Sequence, residues 1–444
     1  MGTTQELAGR VVETRLEDIP KEAIERAKEL LVDFVGTCIA GTQTFTGKTV
    51  NNFISEMEAR PESTVIGTKL KTVAPYAAYA NAVLCHCNEM EDVGMRGAFA
   101  ATHLLADALA LGEKLGSSGK EVLESYILGH EVQGMISIGC LPASSKRISP
   151  WKYGFLGCAA TSAKLMKLDA DGVAMSIALA ASQAGGLAPT TGTMSHYLDF
   201  RSAARSGIES AILVAAGITA RKDILEGENC FCDEMVGPGD YNLDSMNADW
   251  GKTWQCTQVS VKKYTCCYVS HRPLDSLLNI LRDNKISYDD IEETEVEVSR
   301  FHTNWMRFDE PSNGDEARFS LKHVFAVAIL KGEVWVESFT DEAVTDPKYK
   351  EARQKVKVTL HPEWSSTRDA VQAIVTVKLK DGRTFSEMAT ELREPTRDEI
   401  VSNYKRLSEP LLTRPQQDRS LELLLNIERT DSISELMGIL GLKG

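Results

Sequence analysis

Apolar residues in the first two-thirds of the chain recur at helical spacing. Beyond Pro20, a residue tolerated in a first helical turn, Ile24, Ala27, Leu31, Phe34 and Cys38 follow in steps of three or four. Glu121 to Cys140, Gly157 to Leu168, Ser176 to Ser182 and Ser202 to Ile218 have the same character. The small residues Gly157, Ala159, Ala160 and Ala163 predict helices packed at the short end of the usual spacing, about 8 Å.

After about residue 270 the period changes. Glu295-Val296-Glu297-Val298, Val356 to Leu360 and Ala373 to Leu379 alternate, and Asp381-Gly382 before Thr384-Phe385 is a hairpin signal. Arg282 to Lys285 and Arg318 to Leu330 read as helix between them; beyond Pro395, Asp398 to Leu407 and Ser420 to Leu442 read as helix again. The expected fold is mainly α with a smaller α+β domain. Residues 1–268 form an all-helical domain, 269–394 the α+β unit, and 395–444 helices that return to the helical domain.

Composition narrows the function. The formal net charge of −14 over 444 residues argues against nucleic acid or an anionic membrane as the partner, while leaving room for a cationic cleft that binds a small anion. No basic-then-apolar leader opens the sequence, and no apolar run approaches the ~18 residues of a membrane span, so a cytoplasmic location is expected. Ten cysteines in so long a chain read as free thiols. The close pairs Cys85/Cys87, Cys230/Cys232 and Cys266/Cys267 lack the two-residue gap of a zinc or iron–sulfur loop, so no metal is expected.

Lys262-Lys263-Tyr264-Thr265-Cys266-Cys267-Tyr268-Val269-Ser270-His271, following an Ala/Gly-rich helical body, resembles the MmgE/PrpD family, in which Pro usually stands where Thr265 is. Asp33 to Gly36, Ala74 to Asn81, Gly129 to Val132 and Ala317 to Leu321 support the resemblance, which covers nearly the whole chain. It implies a homodimer, a cleft between a large helical and a smaller α+β domain, no metal or organic cofactor, and reactions of the dehydratase, decarboxylase or epimerase type on small carboxylates. The family's lyases usually carry His-x-x-Asp-x-Asp-Asp; here the run is His86-Cys87-Asn88-Glu89-Met90-Glu91-Asp92. A following family histidine falls on Phe99, with His103 one helical turn later; a second His-Pro corresponds to Ser149-Pro150; and a family lysine aligns with His196.

These reactions move a proton next to a carboxylate and need cations to hold the developing charge. Lys262 is the expected cation, His103 the proton shuttle, His196 a base or carboxylate ligand, and Asp92 a residue that orients a histidine or contacts a substrate hydroxyl. Asp92 has the alternative of complementing a helix N-terminus. Arg96, Tyr264, His271 and His86 are the expected substrate-binding residues, Tyr264 and His271 also being open to a structural reading. The functions that follow are a lyase of a di- or tricarboxylate, an isomerase or epimerase using two proton carriers, or a non-catalytic carboxylate-binding relative.

Overall fold

The computed structural model describes residues 2–94, 101–144, 152–199, 201–366 and 371–442. The N-terminal region is built from α1 (Thr3–Glu13), α2 (Lys21–Gly41), α3 (Phe45–Glu56), α4 (Ala74–His86), α5 (Thr102–Leu115), α6 (Gly119–Ser144), α7 (Tyr153–Leu165), α8 (Ala170–Ala181), α9 (Ser195–Asp199), α10 (Ser202–Ala215), α11 (Phe231–Met235) and α12 (Leu243–Ala248). Two-residue strands lie among them: β1 (Ser63–Thr64) pairs with β2 (Lys71–Thr72), and β3 (Val93–Gly94) pairs with β4 (Val259–Ser260). Among the described residues no helix is long and apolar enough to cross a membrane.

The small residues act as the pattern predicted. A Cβ placed on Gly129 of α6 would fall 1.9 Å from Thr161 Oγ1 and 2.7 Å from the Gly157 carbonyl oxygen of α7. A Cβ on Gly207 of α10 would fall 2.4 Å from Cys158 Cβ. Backbones this close leave no volume for a side chain, which is why glycine occupies these positions.

Farther along lie α13 (His271–Asp283), β5 (Ile291–Val298), α14 (Arg300–Trp305), α15 (Gly314–Ala317), α16 (Leu321–Lys331), α17 (Asp341–Thr345), α18 (Pro347–Gln354), β6 (Val356–Leu360), β7 (Ala373–Leu379) and β8 (Thr384–Ala389). The sheet order is β6-β5-β7-β8, with β5 and β6 parallel and the other neighbours antiparallel. Gly382 takes φ 89° in the β7–β8 turn, a conformation that favours glycine. The buried alternate residues Val296, Val298, Val375 and Val377 share a core with Leu274, Leu277 and Ile280 of α13.

The chain then returns through α19 (Arg397–Ser408), α20 (Arg414–Leu425) and α21 (Ser434–Leu440). Thr396 and Glu399 form a capping box that starts α19. Ile400, Tyr404, Leu424, Leu436 and Leu440 belong to the same apolar cluster as Leu31, Val83, Leu109 and Leu156. The fold is therefore mainly α, its large helical core assembled from both ends of the chain, with a smaller α+β core between.

Three helix boundaries differ from the pattern. The helix predicted over Ser420 to Leu442 is broken: α20 ends at Leu425, and the following turn lets Gly119 N–H donate to Thr430 O (3.0 Å) and Ile433 N–H to Ser117 O (3.1 Å). Arg282 is in the last turn of α13, whose end is marked by Lys285 at φ 54°. Ser320, whose hydroxyl accepts from His323 N–H at 3.2 Å, starts α16 after Arg318.

Candidate active site

The site forms where α4 stops. Its last residue is His86, and Glu89 takes a left-handed conformation (φ 52°) that turns the chain toward β3. A non-glycine residue there stores strain that its surroundings must hold in place. Pairing of β3 with β4 (Val93↔Ser260, Gly94↔Val259) draws the Lys262 segment over this turn, and Thr265 Oγ1 donates to Asn88 O. Met90 joins Trp335 and Leu407 in a small apolar cluster. The residues on either side of it, Glu89 and Glu91, both reach Lys262: Nζ lies 2.8 Å from Glu89 Oε2 and 3.0 Å from Glu91 Oε1.

Two histidines complete the cluster. His86 Nε2 lies 3.1 Å from Glu89 Oε1 and 3.4 Å from Glu91 Oε1, and His196 Nε2, from the short helix α9, lies 3.6 Å from Glu89 Oε1. The two imidazoles meet edge-on, centroids 4.9 Å apart. Beside them Tyr197 donates its hydroxyl to Asp315 Oδ1 (2.9 Å), which also receives Arg318 Nη1 (3.3 Å). Thus α9, from the helical core, meets α15, from the α+β part, next to the charged cluster.

Burial and mutual charge set the protonation states. Burial opposes the Lys262 charge, but Glu89 and Glu91 outweigh it and hold the ammonium more firmly than in an ordinary lysine. Burial also opposes ionisation of Glu89, yet Lys262 and then His86 keep its carboxyl well below the usual carboxylate range. In Glu91 desolvation wins over Lys262, and the nearby Glu89 adds to it, so its carboxyl is pushed up to about 7. The pair thus shares one negative charge, on Glu89, while Glu91 keeps a proton near neutrality. His86 is driven well below its ordinary value by burial and by Arg201, and His196 is lowered to about 4, mainly by burial. Both imidazoles are neutral at pH 7.

Arg201 is a second buried cation, 1% exposed, at the start of α10. Desolvation lowers its affinity for its proton, and the fields of Glu91, Cys85, Asp92 and Glu89 counter that. Its Nη1 lies 3.5 Å from His103 Nδ1, while His103 Nε2 lies 2.6 Å from Gln133 Oε1. The compatible tautomer carries hydrogen on Nε2, with Nδ1 accepting from the guanidinium. Burial and Arg201 lower His103 to about 3.

The residues expected from the sequence therefore divide. Lys262, His196 and His86 converge on Glu89. His103 contacts Arg201 and Gln133 instead, a neutral imidazole between a cation and an amide. Asp92 fills the alternative role: Oδ2 accepts from Ala101 N–H (2.5 Å) and Oδ1 from Thr102 Oγ1 (3.0 Å), at the N-terminus of α5. Tyr264 donates to Asp275 Oδ1 (2.5 Å), and His271 Nε2 meets Cys266 O (3.2 Å), so both brace the turn that starts α13. Arg96, Phe99 and Ser149-Pro150 lie outside the described residues.

Glu89, Glu91 and Arg201 were not selected from the sequence. The acidic run pointed to the first two, whereas nothing in Asp199-Phe200-Arg201 marks the arginine. One nitrogen of each of His86 and His196 and an oxygen of Glu89 lie within 4.8 Å of one another, a spacing a divalent cation could bridge. Lys262 already balances the carboxylates there, and we assign no ligand role to them. All ten cysteines are buried and free; Cys266 and Cys267 are pushed up to about 12, chiefly by burial, which leaves them protonated and poor nucleophiles.

Comparison with known proteins places the chain in a family. The MmgE/PrpD N-terminal domain matches residues 5–244 and the MmgE/PrpD C-terminal domain residues 264–429. Cis-aconitate decarboxylase of Mus musculus is 24% identical over 458 aligned residues, covering 98% of this chain and 93% of the relative. That of Homo sapiens is 23% identical, covering 98% and 94%. That of Aspergillus terreus is 23% identical, covering 99% and 96%. With both family domains matched in order across nearly its full length, the chain belongs to the MmgE/PrpD family.

Proposed function

We propose that the protein is a lyase acting on a small di- or tricarboxylate without metal or organic cofactor, and that its reaction is loss of carbon dioxide from cis-aconitate or a close analogue. The observation that carries this reading is the buried set of Lys262, Glu89, Glu91, His86 and His196, with Arg201 nearby. Curated relatives aligned over nearly the whole chain are cis-aconitate decarboxylases, which supplies the substrate class.

Loss of carbon dioxide leaves an electron pair on carbon. Two fixed cations, Lys262 and Arg201, stabilise that charge in a site shielded from water, where a fixed charge acts more strongly than in solvent. The carbon must then gain a proton, so the site also needs a protonated group at neutral pH. The isomerase alternative requires two proton carriers on opposite faces of one carbon. His86 and His196 instead converge on a single oxygen, Glu89 Oε1, an arrangement less suited to that task.

Proton NMR in heavy water with cis-aconitate and a panel of di- and tricarboxylates tests the proposal. The expected result is loss of substrate, release of carbon dioxide and one deuterium in the product, unchanged by added chelator. Exchange without net product would support the isomerase, saturable binding with neither signal a binding protein, and chelator-sensitive activity restored by metal would overturn the cofactor-free reading.

A further inference from the structure

Two carboxyls touch Lys262, and their surroundings differ. Glu89 Oε2 accepts from Lys262 at 2.8 Å, and its Oε1, which makes no hydrogen bond among the described residues, still lies against two imidazoles, His86 at 3.1 Å and His196 at 3.6 Å. Glu91 offers only Oε1 to Lys262 (3.0 Å) and His86 (3.4 Å). Its Oε2 is shielded from solvent and meets no hydrogen-bond partner among the described residues. A buried carboxylate oxygen left in that state would be costly. A carboxylic acid with its proton on Oε2 removes the charge, the larger part of that cost, while Oε1 still accepts from the ammonium; the O–H then has no acceptor among the described residues and is available to a substrate atom.

Resting on the decarboxylase reading above, we infer that Glu91 is the proton donor of the reaction, delivering its Oε2 hydrogen to the carbon that has lost carbon dioxide. The substrate C–C bond breaks and its electron pair stays on carbon as carbon dioxide leaves. The Glu91 O–H bond then breaks as a C–H bond forms, and Glu91 is left as a carboxylate. Lys262, already in contact, balances that new charge. Water returns the proton between turnovers, so each cycle consumes one proton and releases one carbon dioxide.

The charged and titratable groups facing Glu91 are Lys262 after β4, Glu89 in the same turn, His86 of α4, Arg201 at the start of α10 and Asp33 of α2. Lys262 and Arg201 favour the ionised product of the transfer, while desolvation and Glu89 favour the resting acid. That balance puts the carboxyl at about 7, near an operating pH at which a donor can both hold and release its proton.

The test compares wild type, Glu91→Gln and Glu91→Asp by steady-state kinetics across pH, with circular dichroism to check folding. Glu91→Gln is expected to lower kcat by about a hundredfold or more, with KM within a few-fold, and to abolish the loss of activity as pH rises through about 7. Glu91→Asp is expected to recover part of kcat and to keep that limb at a shifted pH. If Glu91→Gln retains wild-type kcat with the limb intact, the inference is overturned. If Glu91→Gln does not fold, an unshifted limb in Glu91→Asp overturns it equally. A wild type that decarboxylates nothing in the panel instead sinks the underlying functional reading, which separates the two failures.

Discussion

Lys262 holds two carboxyl groups that have no water to retreat to. Replacing it with alanine therefore has two effects. Turnover should fall by about a hundredfold or more, as for removal of a cation positioned at developing charge. Stability should fall as well, by about 3–5 kcal/mol, because Glu89 is left buried and uncompensated. Kinetics and urea denaturation of Lys262→Ala measure the two, and adding Glu89→Gln should recover stability but not turnover. Unchanged kinetics would remove Lys262 from the mechanism. At this scale the sequence was partly legible: the run around Lys262 and the acidic run after His86 carry recognisable spacing. The role of Arg201 was not, because a lone arginine acquires meaning only when burial sets it beside other charges. The two roles open to Asp92 could not be separated for a related reason, since the contacts of its oxygens with Ala101 and Thr102 need the chain path between them.

Among the elements, the contact between α6 and α7 leaves little slack. Alanine at Gly129 would gain about 1 kcal/mol in helix propensity. Against that, its methyl would meet Thr161 Oγ1 at 1.9 Å and the Gly157 carbonyl oxygen at 2.7 Å, and backbone oxygen cannot swing aside. Overpacking costs of about 1–3 kcal/mol make the substitution destabilising on balance, and a lowered urea midpoint for Gly129→Ala is the expected result. A midpoint at or above wild type would mean that the helices can spread. Periodicity made these helices and the β7–β8 hairpin readable, because each is dictated by local sequence. The break after Leu425 was not, since it is fixed by Gly119 and Ser117, about three hundred residues away in sequence.

For the molecule as a whole, buried titratable groups set the dependence of stability on pH. His103 and His271 are lowered to about 3, and His196, His302 and His323 to about 4, burial being the largest cause for each. Their folded values lie below the ordinary 6.5, so their stabilising contribution is present above that pH and is lost as pH falls through the folded values. Glu91 and Glu131 run the other way: burial raises each to about 7, so their contribution is full below the ordinary 4.5 and lost as pH rises through 7. The opposing slopes overlap between those two ordinary values. Five histidines outnumber two glutamates in that interval, so the melting temperature should fall as the solution is acidified across it. Glu131→Gln, which removes one of the two opposing slopes, should make that dependence steeper. Stabilisation on acidification below pH 4 would show that these histidines are not held neutral.

The two glutamates and their ammonium are 173 and 171 residues apart in the chain. A ribosome releases the negative partners long before the positive one. Until Lys262 emerges, the turn after α4 can bury Glu89 only at the expense of an uncompensated charge, so that turn should stay hydrated while the surrounding helices condense. Closure of the charged centre is thereby timed to the arrival of the segment that leads into the α+β half, and a chain truncated before that segment would carry its own signal of incompleteness.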